Sequence, residues 1–391
     1  MLNLPSSDVQ QDNYRVLMIG RFIGALFFSS FIALWQPLML DIGASMVMIG
    51  FLASLTDLSG LFASPVIGYV SDRAGRKPVI VASSMMRLLA MLFLIASLLN
   101  GRIEWLYGYA LLMGSSVTFK RWNPAMASLI AESAGEKLGA AYSLLIFINR
   151  GVSIVSTPIG GLLALRYGYM PIVLGCVLGE AARVVLYQLS LSETLRVEGE
   201  YSLKGFFLGL LKIERMRRFY LAVMADGFVW GVGFFLLYGM LKDTYKYSPL
   251  EISLFSTVMS LSWAVSQVPA GKLIDTIGFK RALMLSESFG IVALIFWLHP
   301  LSKLMIAAGY AFAGVMSALW VPTLVSYIAS HTLPEQRSFE VGRLNMLRQL
   351  SAFIAPTVGG IIYTSYGYSM PLIVNLAGAC LCITLLSTLS D

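Results

Sequence analysis

Long apolar runs separated by short polar breaks dominate this chain. From Arg15 to the C-terminus, runs at or near the roughly 20 residues needed to cross the hydrocarbon of a bilayer follow one another. They cover residues 15–38, 46–70, 79–99, 105–131, 139–163, 170–191, 217–241, 249–273, 282–299, 303–329, 341–363 and 369–390. Backbone groups in lipid must be hydrogen-bonded within the segment, so continuous runs of this length read as helices and not as the shorter alternating strands of a barrel. The pattern predicts an all-α membrane protein with twelve transmembrane helices.

The order of polar and small residues repeats at a separation of about 200 positions, the mark of a duplicated bundle. Pro158-Ile-Gly-Gly161 followed by Tyr167-Gly168-Tyr169 and Pro171 is echoed by Pro356, Gly359-Gly360, Tyr366-Gly367-Tyr368 and Pro371. Arg150 and Arg348 each lie eight residues before the proline of their copy. Trp122, Pro124 and Ile130-Ala131 match Trp320, Pro322 and Ile328-Ala329, and Gly68, Asp72 and Gly75 match Gly271, Asp275 and Gly278. The expected organisation is therefore two pseudo-symmetric six-helix bundles, 1–191 and 217–391. They are joined by a charged cytoplasmic linker, 192–216, in which Leu203, Phe206, Phe207, Leu210 and Leu211 fall on one face of an amphipathic surface helix.

Composition agrees with the pattern: 57% of residues are hydrophobic and 13% charged, with a mean hydropathy of +0.76, whereas soluble domains are about 25% charged. Lys and Arg gather in alternate loops, at Arg73, Arg76 and Lys77, at Lys137, through the linker, at Lys280 and Arg281, and at Arg337. The positive-inside bias then places both termini in the cytoplasm and accounts for the net charge of +7 without a nucleic-acid partner. The polar stretch up to Tyr14 lacks the core and cleavage site of a secretory signal, so the first span is expected to be retained. Cys176, Cys380 and Cys382 fall inside spans and read as small packing residues.

Between the second and third spans the chain reads Gly68-Tyr-Val-Ser-Asp72-Arg73-Ala-Gly75-Arg76-Lys77-Pro78. Gly68 removes a side chain where helices touch, and Gly75 permits a tight turn. The segment resembles the cytoplasmic signature G-x-x-x-D-R-x-G-R-[RK] of the major facilitator superfamily. Asn123 to Glu132 is similar to that family's end of helix 4, and Tyr167-Gly168-Tyr169 to its loop between helices 5 and 6. The resemblance implies a conformational latch formed by Gly68, Asp72, Arg73, Gly75, Arg76 and Lys77, closing on the start of the eleventh helix near Val341, Gly342 and Arg343. The second copy keeps Gly271 and Asp275 but has Thr276 where the first has Arg73, which implies a weaker latch. Thr157-Pro158-Ile159-Gly160-Gly161 departs from the G-P-x-x-G-G pattern that drug/proton exporters of the family often carry.

A charge deep in the bilayer costs several kcal/mol and needs a partner, water or a function. Glu180 and Arg183, three apart, are expected to pair with each other. Arg87 and Glu287 fall on helices that are peripheral in the resembling fold and are expected to snorkel or bond locally. The remaining set lies on helices that line the family's central cavity and is basic: Arg21, Lys120, Arg121, Arg150 and Arg348 against Asp57 and Asp226. An anionic substrate is the inference. Of the adjacent Lys120 and Arg121, set about 100° apart around the helix, Arg121 is the one expected to face the substrate. Arg21 and Asp226 could pair across the halves, as part of the site or as structure. Asp57 and Asp226 are candidates for proton coupling, and Trp230 and Trp320 could stack on substrate or simply pack.

No G-x-x-x-x-G-K-[ST] loop occurs, which argues against an ATP-driven pump. The only histidines, His299 and His331, lie near span ends, so neither an intramembrane enzyme nor a metal site is expected, and no cofactor. The expected protein is a monomer of the cell membrane, a secondary active transporter of a small organic anion by alternating access. Its expected partners are that solute, a coupling proton and membrane lipid. Proton-coupled efflux is the first reading, and an uptake symporter or facilitator for an organic anion the alternative.

Overall fold

The structure is a computed structural model that describes residues 7–117, 123–134, 138–194, 216–332 and 337–389. Every regular element among these residues is helical. The helices are α1 Ser7–Asp41, α2 Met46–Ala74, α3 Arg76–Asn100, α4 Trp105–Ser115, α5 Pro124–Ala134, α6 Leu138–Tyr167 and α7 Met170–Ser190. They continue with α8 Arg217–Val232, a 3-10 turn Phe234–Leu236, α9 Leu237–Tyr245, α10 Pro249–Ile277, α11 Phe279–Leu298, α12 Lys303–His331, α13 Arg337–Ala352, α14 Ala355–Tyr366 and α15 Ser369–Ser387. Among the described residues, nine helical segments are long and apolar enough to cross a membrane. The amphipathic segment expected in the linker lies outside the described residues.

Three of the runs read as single helices are broken. Residues 105–131 give α4 and α5, because Asn123 caps a new helix with Pro124 in its first turn: the Asn123 Oδ1 accepts from the Ala125 N–H at 3.0 Å while its Nδ2 donates to Ser83 Oγ of α3 at 2.8 Å. Residues 217–241 break at Gly233. There the Asn375 amide substitutes for the missing ladder, accepting from the Phe234 N–H at 3.0 Å and donating to the Val229 carbonyl at 2.7 Å. Residues 341–363 break ahead of Pro356, where the proline ring cannot continue the preceding ladder.

The duplicated sequence gives duplicated turns. Gly75 and Gly278 adopt φ of 105° and 81° between repeat-related helices, and Gly168 and Gly367 adopt 73° and 81°. These left-handed conformations are ones that glycine enters without the Cβ penalty.

The chain divides into two compact units, 1–35 with 55–207, and 36–54 with 208–391. Residues 36–54, the end of α1 and the start of α2, group with the later part of the chain. In the first unit Leu17, Ile80, Leu129, Ile130, Tyr187 and Leu191 form a core. In the second, Phe219, Tyr220, Leu283, Tyr327, Leu347 and Leu386 do so. Large apolar side chains such as Phe147, Leu178, Leu189 and Val265 remain exposed, an exterior suited to lipid tails and not to water.

Within the second unit Gln36 spans the break after α8, donating to the Phe235 carbonyl at 2.5 Å and accepting from the Gly239 N–H at 2.7 Å. Thr357 donates to Ser54 Oγ at 2.7 Å and Lys242 pairs with Asp41 at 3.3 Å. Glycines bring the backbones close: a Cβ on Gly50 would fall 2.2 Å from the Pro356 carbonyl oxygen, and one on Gly359 would fall 1.9 Å from that of Val232. Backbone cannot yield as a side-chain tip can, so Gly359→Ala is expected to lower the thermal midpoint in detergent by the equivalent of about 1–3 kcal/mol. Gly151→Ala, which meets nothing within 4 Å, is expected to be neutral or slightly stabilising; equal losses in the two variants would contradict this account of the packing.

Candidate functional sites within the two helical units

Charge in the first unit centres on Glu180 of α7. Its carboxylate accepts from Arg87 of α3 at 2.9 Å and from Arg183, one turn along α7, at 2.9 and 3.1 Å. All three residues are buried. Glu180 and Arg183 are paired as their spacing predicts. Arg87 does not snorkel; it crosses to the same carboxylate, and its guanidinium lies 3.8 Å from the Phe28 ring centroid, a cation–π contact. Arg183 also donates to Tyr187 Oη at 3.4 Å. Close approach of α1 and α7 makes this possible, because Gly20 and Gly24 leave room for Tyr187 and Arg183.

Arg21 and Arg150, half-buried on α1 and α6, belong to the same electrostatic neighbourhood: Arg21 feels Arg183, Arg87 and Arg150. The first unit therefore concentrates arginine side chains around the middle of α1, α3, α6 and α7. Asp57 is buried on α2. Arg121, with Lys120 and Trp122, lies outside the described residues.

The second unit gathers a different group. Arg348 of α13 reaches Asp226 Oδ2 of α8 through Nε at 3.0 Å and Nη2 at 2.9 Å. Gly227 makes the crossing possible, since a Cβ there would fall 2.8 Å from Arg348 Cγ. Asp226 thus takes its counter-ion from α13 of its own unit, and not from Arg21.

One turn further along α8, Trp230 donates its indole N–H to Glu287 Oε2 of α11 at 3.2 Å. The Asp226 and Glu287 carboxyls share one electrostatic neighbourhood with Arg348. Glu287, read from sequence as a peripheral scaffold residue, therefore belongs to this group. Trp230 is buried with its ring against Gly290, and Trp320 is buried in the core with Phe219 and Tyr327. The signal for Glu287 was present as a buried acid on an apolar helix, but its neighbours were not readable without the helix register.

At the other end of the first unit the Gly68–Lys77 motif is tied into a polar network. Arg76 bonds the Asp72 carboxylate, donates to Ser71 Oγ at 2.9 Å and pairs with Glu132 of α5 at 3.1 Å. Glu193, just past α7, caps the start of α3 by accepting from the Arg76 and Lys77 N–H groups at 2.9 and 3.0 Å. Gly75 is favoured by its φ of 105°, and a Cβ there would push aside the Glu193 carboxylate, 2.3 Å away, that caps α3. Glu132 also accepts from the Thr194 hydroxyl, and Asn13 exchanges two hydrogen bonds with Ser192. Arg73 is exposed with its guanidinium over the Tyr69 ring, and Gly68 faces Pro124 of α5. In the second copy Asp275 is exposed, Gly271 has open space around it, and Arg343 is held by Glu340 at 2.5 Å.

Among the described residues no group of three or more His, Cys, Asp or Glu side chains could hold a metal ion.

Comparison with known proteins agrees with this architecture. The family model described as Major Facilitator Superfamily matches residues 17–241 and 218–390. An uncharacterized MFS-type transporter, MJ1560, of Methanocaldococcus jannaschii is 32% identical over 143 residues, which span 36% of this chain and only 37% of that protein. Multidrug resistance protein 2 of Bacillus subtilis is 23% identical over 372 residues, covering 92% of this chain and 90% of that one. The crystal structure of the human organic anion transporter MFSD10 superposes with a TM-score of 0.69 at 17% identity, covering 98% and 100% of the two chains.

Removing one member of a buried ion group leaves the others uncompensated, at a cost of about 3–5 kcal/mol. Glu180→Gln is accordingly expected to lower the thermal midpoint sharply in detergent, and adding Arg87→Met to that variant to recover part of the loss. A midpoint unchanged by Glu180→Gln would show that the carboxylate does not hold the two arginines.

Proposed function

The chain belongs to the major facilitator superfamily, and from that premise we propose that it exports a small organic anion by proton-coupled alternating access. Members of the family are membrane transporters, and this one is a multi-pass helical membrane protein that acts on a small-molecule substrate. The observation that carries the anionic reading is the gathering of Arg21, Arg87, Arg150 and Arg183 in one electrostatic neighbourhood of the first unit. A low-dielectric surround magnifies such a field. Efflux is supported by full-length similarity to a multidrug resistance protein.

The departure of Thr157–Gly161 from the exporter pattern favours a second reading, uptake of an organic anion by symport or facilitated diffusion. We place the protein as a monomer in the cell membrane with both termini cytoplasmic, on the strength of the basic alternate loops. The halves 1–191 and 217–391 are proposed to move as the two bodies of the cycle, with 192–216 as their cytoplasmic tether.

Gly68–Lys77 is proposed as the latch of the cytoplasmic face. Its Asp72–Arg76–Glu132 network gives the motif a fixed shape from which a two-state contact can be made and released.

Two measurements in inverted membrane vesicles test these readings, with calcein as a fluorescent anion and ethidium as a fluorescent cation. Asp72→Asn is expected to reduce flux at least tenfold, about 1.4 kcal/mol in the barrier, while the protein remains inserted at normal levels; undiminished flux would remove the latch. Arg150→Gln is expected to depress calcein flux far more than ethidium flux, and equal losses would remove the anionic reading.

A further inference from the structure

The Arg87–Glu180–Arg183 group sets two guanidinium charges on one carboxylate, and all three residues are buried. Among the described residues, these are the only ion pairs that Arg87, Glu180 and Arg183 make. Arginine keeps its proton inside a protein, so with Glu180 ionised the group holds one positive charge in excess. Its other contacts do not cancel that charge. Phe28 offers Arg87 the electron-rich face of a ring and Tyr187 offers Arg183 a hydroxyl at 3.4 Å, but both are neutral. Arg21, in the same electrostatic neighbourhood, adds charge of the same sign.

Hydrogen-bond donors are in excess as well. A guanidinium donates from Nε as well as from its two terminal nitrogens. Arg87 and Arg183 each reach the same Glu180 oxygen, Oε1, through a terminal nitrogen at 2.9 Å, which keeps the two guanidinium groups within two hydrogen-bond lengths of each other. The Nε–H of each is buried and meets no acceptor among the described residues. The walls supply none: Cys176 donates its thiol to the Phe27 carbonyl at 3.2 Å, and Gly24 of α1 faces Arg183 with no side chain. Buried charged donors are costly to leave unmet. Water could accept from them but would leave the charge in place, whereas an anion answers both needs.

We propose that Arg87, Glu180 and Arg183 frame a binding site for one small monovalent inorganic anion, of the size and charge of chloride, seated against the two Nε–H donors. Burial sets the size: the Arg87 and Arg183 side chains are each 7% exposed and that of Glu180 2%, too enclosed to receive an organic solute. Arg21 and Arg150, half-buried, remain to meet one. The ion makes the charge of the group zero and fastens α3 to α7. The site stands apart from the solute site and does not rest on the export reading.

The first test uses the wild-type protein. Crystals grown in sodium bromide are expected to show an anomalous-scattering peak against the Nε atoms of Arg87 and Arg183, and the absence of a peak there overturns the proposal. The second test compares thermal midpoints in detergent with sodium chloride, bromide or gluconate at constant ionic strength. Halide is expected to raise the wild-type midpoint over gluconate by about 2–4 °C and to saturate, as a ligand of the folded state does. Arg87→Met, which leaves Glu180 and Arg183 as a neutral pair, is expected to fold in gluconate and to lose the halide shift. Glu180→Gln, which removes the negative charge of the group, is expected to enlarge it. A halide shift that persists unchanged in Arg87→Met marks an adventitious ion only and overturns the site.

Calcein and ethidium fluxes in the same wild-type protein separate this inference from the function proposed above. Flux selective for calcein without a halide site removes the resident ion and leaves the anionic solute. A halide site with no preference for calcein over ethidium supports the ion and removes the anionic solute.

Discussion

A charge carried into the hydrocarbon must meet its counter-charge on a neighbouring helix, and in each unit that requirement dictates which helices touch and where. Glu180 locks α3 to α7 through Arg87, and Arg348 locks α13 to α8 through Asp226. Gly227 lets the second lock close, since a Cβ there would fall 2.8 Å from Arg348 Cγ, and Gly20 of α1 makes room for the Tyr187 hydroxyl that Arg183 reaches. The ion pairs and the small residues are one device: close backbones bring long side chains into register, and the paired charges make any other register costly.

The two units apply that device with opposite sign. Arg87 and Glu287 stand on the repeat-related helices α3 and α11, within a turn of corresponding positions. One unit surrounds a carboxylate with arginines, whose protons are permanent. The other sets two carboxyls beside one arginine, and carboxyls can give up or accept a proton. A duplicated scaffold has thus diverged into a half with buried arginines around one carboxylate and a half with two buried carboxyls and one arginine.

Much of the fold was legible in the sequence because hydropathy and glycine placement are local signals. The apolar runs gave the helices, and the echo of Gly75 in Gly278 and of Gly168 in Gly367 gave the repeated turns, each realised with a left-handed glycine. Breaks inside the runs were less legible. Asn123-Pro124 is a local helix start set inside a continuous apolar run, whereas the break at Gly233 depends on Asn375 and Gln36, far away in sequence. The charged groups were legible as residues and not as partners. Glu180 with Arg183 followed from helical spacing, but Arg87 with Glu180 and Glu287 with Trp230 depend on the register between helices, which hydropathy does not encode. The same limit hid Glu132 and Glu193, which hold the Gly68–Lys77 motif from elements distant in the chain.

Gln36 and Ser54 leave the ribosome long before the segments they bond, Phe235 to Gly239 and Thr357. The Gln36 amide meets its partners only once residues 235–239 have been made, and the Ser54 hydroxyl only once Thr357 has. The grouping of residues 36–54 with the later part of the chain sets a rule for recombination: a chimera spliced between residues 191 and 217 parts Gln36 and Ser54 from the segments they bond, whereas one that also transplants residues 36–54 keeps the second unit whole.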